Sequence, residues 1–279
     1  MNANEIKIVK KRSLKRYIPE IDLEEAGKAL IQEMEDNSDE TFAITLGKHV
    51  IGIAYIDDDK KAYITVNIFK SYRNKGYGSE ALKQVEKMIV KANKIVAIYC
   101  YHNEIAKQFL IKRGYKPVWA STMMKYSGPK FEVSNLSVRQ YRDEDYHEAF
   151  MLSAEAFHRM RLGTGCFPDS LVGEPSEESR KSWLKYAKDE YVLELDDEIV
   201  GYADVDDDEL NSVSIKISHQ GKGLGKEFIK YMTNLLIDRG VKEPTLWCVV
   251  GNVNARHIYD SIGYKEVFCE GFADKEIHK

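Results

Sequence analysis

The sequence contains no run of 18 apolar residues, so no segment is long enough to cross a membrane as an apolar helix. Its first residues, Met1 to Glu5 leading into Lys10-Lys11-Arg12, lack the apolar core of a secretion signal, and a cytoplasmic location is the expectation. Cysteine is sparse and scattered. Cys100, Cys166, Cys248 and Cys269 form no C-x-x-C pair, which argues against a zinc site or disulfide framework and favours buried free thiols; no metal is expected. Proline is rare, with 6 in 279 residues, and 43% of the residues are hydrophobic, which excludes collagenous and disordered classes. The one basic stretch, Lys7 to Arg16, is short, carries no recognition motif and sits in a chain of net charge -4, so nucleic acid is not expected as a partner, nor is a membrane.

What the chain does have is enough length for two domains of ordinary size. Charge divides unevenly between them. Residues 1–127 carry 22 Lys and Arg against 16 Asp and Glu, whereas 128–279 carry 19 against 29. An acidic second half is able to concentrate a cationic substrate; two solvated faces account for the split equally well.

The sequence also repeats once. Arg73-Asn74-Lys75-Gly76-Tyr77-Gly78 returns as Gln220-Gly221-Lys222-Gly223-Leu224-Gly225, and Gly52, Asn103, Ala106 and Gly114-Tyr115 return in the same order as Gly201, Asn252, Ala255 and Gly263-Tyr264. In each copy two apolar runs flank a polar turn (42–46 and 50–56; 191–195 and 199–205), which predicts a β-hairpin. A third strand follows (63–69; 213–217) and runs into the glycines. Leu82, Val85, Met88 and Ile89, and Phe228, Ile229, Met232, Leu235 and Leu236, then recur at helical spacing. A further strand (95–101; 245–250), a helix opening near Asn103 or Asn252 and closing at Gly114 or Gly263, and a last strand complete a β-β-β-loop-α-β-α-β order. Ahead of the hairpin, 21–35 predicts one helix, while 143–160 and 177–188 predict two. The turn-forming Ser127-Gly128-Pro129 marks the join, giving domains at 1–128 and 129–279.

A strand that delivers a glycine turn onto a helix is a device for holding phosphate, because the first-turn amides lack intrahelical partners and the helix dipole adds positive charge. A Walker A loop fails here, since Gly221 is followed five residues later by Lys226 rather than glycine. A Rossmann fingerprint fails as well: the spacing is G-x-G-x-G, and in one copy only. What remains is [QR]-x-x-G-x-G between strand and helix.

These residues resemble the GNAT N-acetyltransferase superfamily, whose diphosphate loop has that pattern and whose later helix carries N-x-x-A-x-x-x-Y-x-x-x-G-[FY]. Asn252, Ala255, Tyr259, Gly263 and Tyr264 match throughout; the first copy supplies Asn103, Ala106, Gly114 and Tyr115 but has Leu110 in place of the tyrosine. The resemblance spans nearly the whole chain. It implies an α/β (α+β) fold of two tandem acyl-CoA N-acyltransferase domains, each a mixed, mostly antiparallel sheet flanked by helices with splayed central parallel strands.

The resemblance further implies acetyl-CoA, or another acyl-CoA, as co-substrate. In the second copy Ile215, Lys216 and Ile217 would line its pantetheine, Gln220, Gly221, Lys222, Gly223, Leu224, Gly225 and Lys226 would hold its diphosphate, and Asn252 would orient its far arm. In the first copy Ile68 to Lys70, the loop Arg73, Asn74, Lys75, Gly76, Tyr77, Gly78 and Ser79, and Asn103 correspond. Tyr259 matches the general acid, the Ile217 amide the oxyanion donor, and Asp204 the base, ahead of Asp206, Glu209 and His219. The first copy, lacking the tyrosine unless Tyr99 or Tyr101 replaces it, would bind coenzyme A without turnover or act as scaffold. Phe157, Phe167 and Trp183 are either pocket-shaping or core. The acceptor class is an amine of a small molecule or peptide, an aminoglycoside among them; a coenzyme A sensor without turnover is the alternative from another class.

Overall fold

The computed structural model describes residues 5–21, 28–36 and 38–277. The chain divides into two compact units, one of residues 1–120 with 268–279 and one of residues 121–267.

The first unit's sheet runs β1 (Ile6–Val9), β2 (Thr41–Leu46), β3 (His49–Asp58), β4 (Ala62–Ile68) and β5 (Lys94–Cys100). Alternation along β3 explains its two faces. Ala54 and Ile56 enter a core with α2 (Tyr77–Met88) and α3 (Glu104–Ile111), while Ile53 and Tyr55 enter a second core with Leu30 and Met34 of α1 (Lys28–Asp36). The helix expected from 21 is described from Lys28, and residues 22–27 lie outside the described part. β4 and β5 are parallel and pair over three positions, from Ala62↔Ile95 to Ile64↔Ala97.

The second unit repeats the plan with β7 (Ser137–Gln140), β8 (Glu190–Leu195), β9 (Glu198–Asp206), β10 (Glu209–Ile215) and β11 (Thr245–Val249). Val200, Ala203, Val205 and Leu210 point into a core with α6 (Leu224–Asp238) and α7 (Val253–Ile262). Val192 and Tyr202 point the other way, to α4 (Tyr146–Gly163) and to Trp183 of α5 (Glu177–Tyr186). Here the parallel pair is looser: β10 and β11 meet in register only at Glu209↔Thr245. The edge strands β1 and β7 were not expected; at four residues each they are too short to show a period.

The expected division at 128/129 requires correction, because each unit takes its last strand from the other half of the sequence. β6 (Lys116–Lys125) follows α3 but pairs with β11, from Thr245↔Lys125 to Val249↔Ser121. β12 (Lys265–Glu276) follows α7 but pairs with β5, from Glu270↔Cys100 to Glu276↔Lys94. Packing fixes both. Met124 is fully buried in the α6 core, Ala273 is fully buried in the α2 core, and Phe272 stacks on Trp119 at 3.9 Å and 5°.

A chain truncated after Val267 therefore leaves β5 as an unpaired edge. Hydrogen exchange should show protection of the amides at 95–100 falling by more than about tenfold, while those at 245–249 keep theirs, as local opening replaces global unfolding. Unchanged protection at β5 would contradict the exchange of strands.

Candidate functional site

Both glycine turns have the same construction. Gln220 Nε2 donates to the Ile215 carbonyl at 2.8 Å, and Arg73 Nε donates to the Ile68 carbonyl at 2.7 Å, so the first residue of each motif latches the turn to the strand that delivers it. Gly223 and Gly76 then cap α6 and α2 in the left-handed region, at φ 84° and 82°, which a side chain disfavours. Neither helix has a side-chain cap. A Cβ at Gly221, at Gly223 or at its counterpart Gly76 would meet nothing within 4 Å, so open space lies over both caps.

In the second unit that space belongs to a cavity of about 830 Å³. Gly221, Gly223, Gly225 and Lys226 form one end, and Asn252, Ala255, Ile258 and Tyr259 of the α7 region form another. Val213, Ser214 and Ile215 of β10 line it, as do Ala156, Phe157, Arg159 and Met160 of α4. The cavity exists because β10 and β11 part after one paired position. A bulge in β10 adds to this: pairing with β9 slips between Asn211 and Ser214, and Ser212 takes φ 52°. β4 of the first unit pairs with β3 from Gly52↔Ile68 to Asp58↔Ala62 without such a slip.

The corresponding turn of the first unit is open at Gly76 but covered by α3 at its Gly78 end. A Cβ at Gly78 would lie 3.5 Å from the Phe109 ring, and the Arg113 guanidinium stacks 3.5 Å over that ring while donating to Ser79 Oγ and, at 2.7 Å, to the Phe109 carbonyl. Leu110 is buried in the core. Tyr99 packs against Gly271 and Tyr101 is exposed on the turn before α3, so neither takes the place Tyr259 has in α7.

Of the expected residues, Ile215, Gln220, Gly221, Gly223, Gly225, Lys226, Asn252 and Tyr259 come together around the cavity. Asn252 also has a local task, its side chain accepting from the Ala255 amide at 3.3 Å as the cap of α7; Asn103 does the same for α3. Lys222 and Leu224 belong to the loop but do not line the cavity. Lys216 is otherwise engaged: its amide donates to the Val200 carbonyl at 2.8 Å and its ammonium pairs with Glu198. Ile217 requires correction. It opens a 3-10 turn, is 37% exposed and lies off the cavity, because β10 ends at Ile215 and the strand was expected to run two residues further. Trp183 and Phe167 are not cavity residues either; Trp183 stacks on Tyr202 at 4.6 Å in the aromatic core, whereas Phe157 does line the cavity. The sequence does not single out Val213, Ser214, Arg159 and Asn254, whereas Thr164 falls within 162–178, a Gly- and Pro-rich stretch that suggests an acceptor-side loop. A bulge has no sequence period, and α4 reads as an ordinary amphipathic helix.

Burial sets the protonation of the site. It raises the Tyr259 phenol well above its usual range, with Cys248 and Tyr264 adding to the effect, so the hydroxyl keeps its proton. Asp204 is raised by burial against the lowering influence of a Ser212 hydrogen bond. Glu190, its register partner across β8 and β9, is pushed up to about 8 by burial and by Asp204 and Asp189. His219 is half-buried, lies off the cavity and has its ring 3.0 Å from the Ser218 hydroxyl.

Comparison with known proteins gives a consistent result. The family model described as Acetyltransferase (GNAT) family matches residues 11–115, and the one described as FR47-like protein matches 197–273. Among solved structures, a GCN5-related N-acetyltransferase from Sphaerobacter thermophilus is similar with a TM-score of 0.67 at 15% identity, covering 91% of this chain and 86% of that one. A tandem GNAT protein from the clavulanic acid biosynthesis pathway has a TM-score of 0.58 at 11% identity over 99% of both chains. A putative acetyltransferase from Pyrococcus horikoshii has 0.53 at 11%, covering 100% and 92%. At these identities the likeness is one of fold. No curated protein sequence matches.

The raised Glu190 has a measurable consequence. Between the ordinary carboxyl value of 4.5 and about 8 the folded state holds a proton that the unfolded chain has released, so stability falls as pH rises through that window. Glu190→Gln should flatten this fall in chemical denaturation compared between about pH 5.5 and about pH 9. An unchanged slope would contradict the buried, protonated carboxyl.

Proposed function

Because the chain belongs to the GNAT superfamily of acetyltransferases, we propose that its second unit moves an acetyl group directly from acetyl-CoA to a primary amine of a small molecule or peptide. One observation carries the reading: a single cavity runs from the glycine turn at Gly221–Lys226 to Tyr259. Acetyl-CoA supplies an acyl group activated as a thioester. The residues present suit it, since the first-turn amides of α6 face open space and Lys226 and Arg159 stand at the same cavity.

In this reading the loop amides of 221–226 bind the diphosphate and the β10 edge at 213–215 orients the pantetheine, as an added strand would lie. The donor to the developing oxyanion is the amide of Val213. That residue lines the cavity and falls within the register slip, so it has no paired residue on β9. The C–N bond forms as the C–S bond breaks. Asp204, which lies off the cavity lining and is hydrogen-bonded to Ser212, takes the proton from the amine nitrogen; burial raises its affinity for protons above that of an ordinary aspartate. Tyr259 gives its proton to the departing sulfur and regains one from solvent. The first unit serves as scaffold in this scheme, because Phe109 and Arg113 stand over its turn.

Tyr259→Phe should slow coenzyme A release by about 100-fold or more while leaving acetyl-CoA affinity within about twofold. Equal turnover would exclude the tyrosine as acid. The acid limb of the rate profile should lie above the ordinary aspartate range, because Asp204 must be ionised to act and burial raises it; Asp204→Asn should remove that limb.

Calorimetry with acetyl-CoA should give one site per chain. Gly223→Asp, which sets a carboxylate against the diphosphate, should weaken binding at least about 100-fold, whereas the matching Gly76→Asp should change it less than about twofold. The opposite ranking would assign the co-substrate to the first unit.

A further inference from the structure

Between corresponding register partners, β10 carries one residue more than β4. In the first unit Thr65 is opposite Tyr55 and Asn67 is opposite Ile53, with Val66 alone between them. In the second unit Asn211 is opposite Asp204 and Ser214 is opposite Tyr202, with both Ser212 and Val213 between them. An extra residue has no fixed place in a strand by itself. The slip is able to move along the ladder, and each move by one residue reverses the direction of the residue it passes.

Three side-chain contacts meet at this slip. The Ser214 hydroxyl donates to the Ser212 carbonyl at 2.8 Å, which closes the extra residue into a small ring. The Ser212 hydroxyl donates to Asp204 on β9, and Ser153 Oγ of α4 lies 3.4 Å from Ser214 Oγ. The ring holds a backbone conformation that a serine does not favour, because Ser212 lies in the left-handed region at φ 52°. Ser214 itself is only 3% exposed and lines the cavity.

The place of the slip decides where the Val213 amide points. The Lys216 amide donates to the Val200 carbonyl, so by alternation the amide of Ser214 also faces β9, whereas those of Val213 and Ile215 face the gap left by β11. Were the extra residue to move past Ser214, Val213 would stand opposite Tyr202 and its amide would turn into the β9 ladder. We infer that Ser214 is a positioning residue: its hydroxyl, bonded to the Ser212 carbonyl, pins the extra residue of β10 so that the Val213 amide faces the cavity and the developing oxyanion. This deepens the transferase reading and rests on it. Asn67 holds the place of Ser214 in the first unit, where the strand has no residue to pin.

The test replaces Ser214 by Ala and by Thr in the full chain, the threonine keeping the hydroxyl on a side chain suited to strands. Ser214→Ala should lower kcat at least about tenfold with the KM for acetyl-CoA within about twofold, and Ser214→Thr should keep kcat within about threefold. Hydrogen exchange reads the backbone without turnover. In the unsubstituted chain without ligand, the Val213 amide should be at least about tenfold less protected than that of Ser214, and Ser214→Ala should bring the two within about threefold while the amides at 199–205 keep their protection. Equal protection of the two amides in the unsubstituted chain, an alanine variant with unchanged Val213 protection, or a threonine variant as slow as alanine would overturn the inference. So would a KM that rises in step with the loss of kcat, or protection lost throughout 199–205, since Ser214 would then serve the fold at large. If the unsubstituted chain acetylates no amine, the transferase reading fails and exchange alone decides the pinning: Val213 protection that rises in Ser214→Ala supports it, and unchanged protection overturns it.

Discussion

Two parallel strands that touch at one register position and then part are the constraint on which the site depends. Had β10 and β11 stayed paired beyond Glu209↔Thr245, backbone hydrogen bonds would fill the gap that is now cavity. Their divergence leaves polar backbone at 213–215 beside open space, a state tolerated only where water or a ligand completes it. The glycine turn and α7 stand at the two ends of that gap. Gly223 in the left-handed region turns the α6 amides toward it, and the Asn252 cap starts α7 so that Tyr259 reaches it from within the core.

The two units share this plan with different outcomes. Latch, left-handed cap and Asn-capped helix survive in both. In the first unit Phe109 and Arg113, an aromatic-cation pair, stand over the Gly78–Ser79 end of the turn. The same unit lacks the β10 bulge and the tyrosine. Each unit's sheet is completed by a strand from the other half of the sequence.

Local chemistry was legible in the sequence, and partner choice was not. The strand-turn-helix order, the two Asn caps and the closing glycines follow from residue types whose effects act within a few positions. The destination of β6 and β12 does not, because an apolar alternating strand reads the same whichever sheet receives it. Ile217 was misplaced for a related reason. Val213, Ile215 and Ile217 alternate as strand residues do, yet the chain leaves the sheet at Ile215, where Lys216 turns its amide back to Val200. Phe109 and Arg113 look like the surface of an amphipathic helix until the glycine beneath them is seen. Asp204 was selected because it lies within a strand; its company with Glu190 emerges only from the register.

The most direct test is a crystal structure of the protein with acetyl-CoA bound. The diphosphate should lie within hydrogen-bonding distance of the amides of residues 221–226, with the thioester near Tyr259 and Phe109 still packed on Gly78. A diphosphate on the turn at 74–79, or one held away from both turns, would contradict the account.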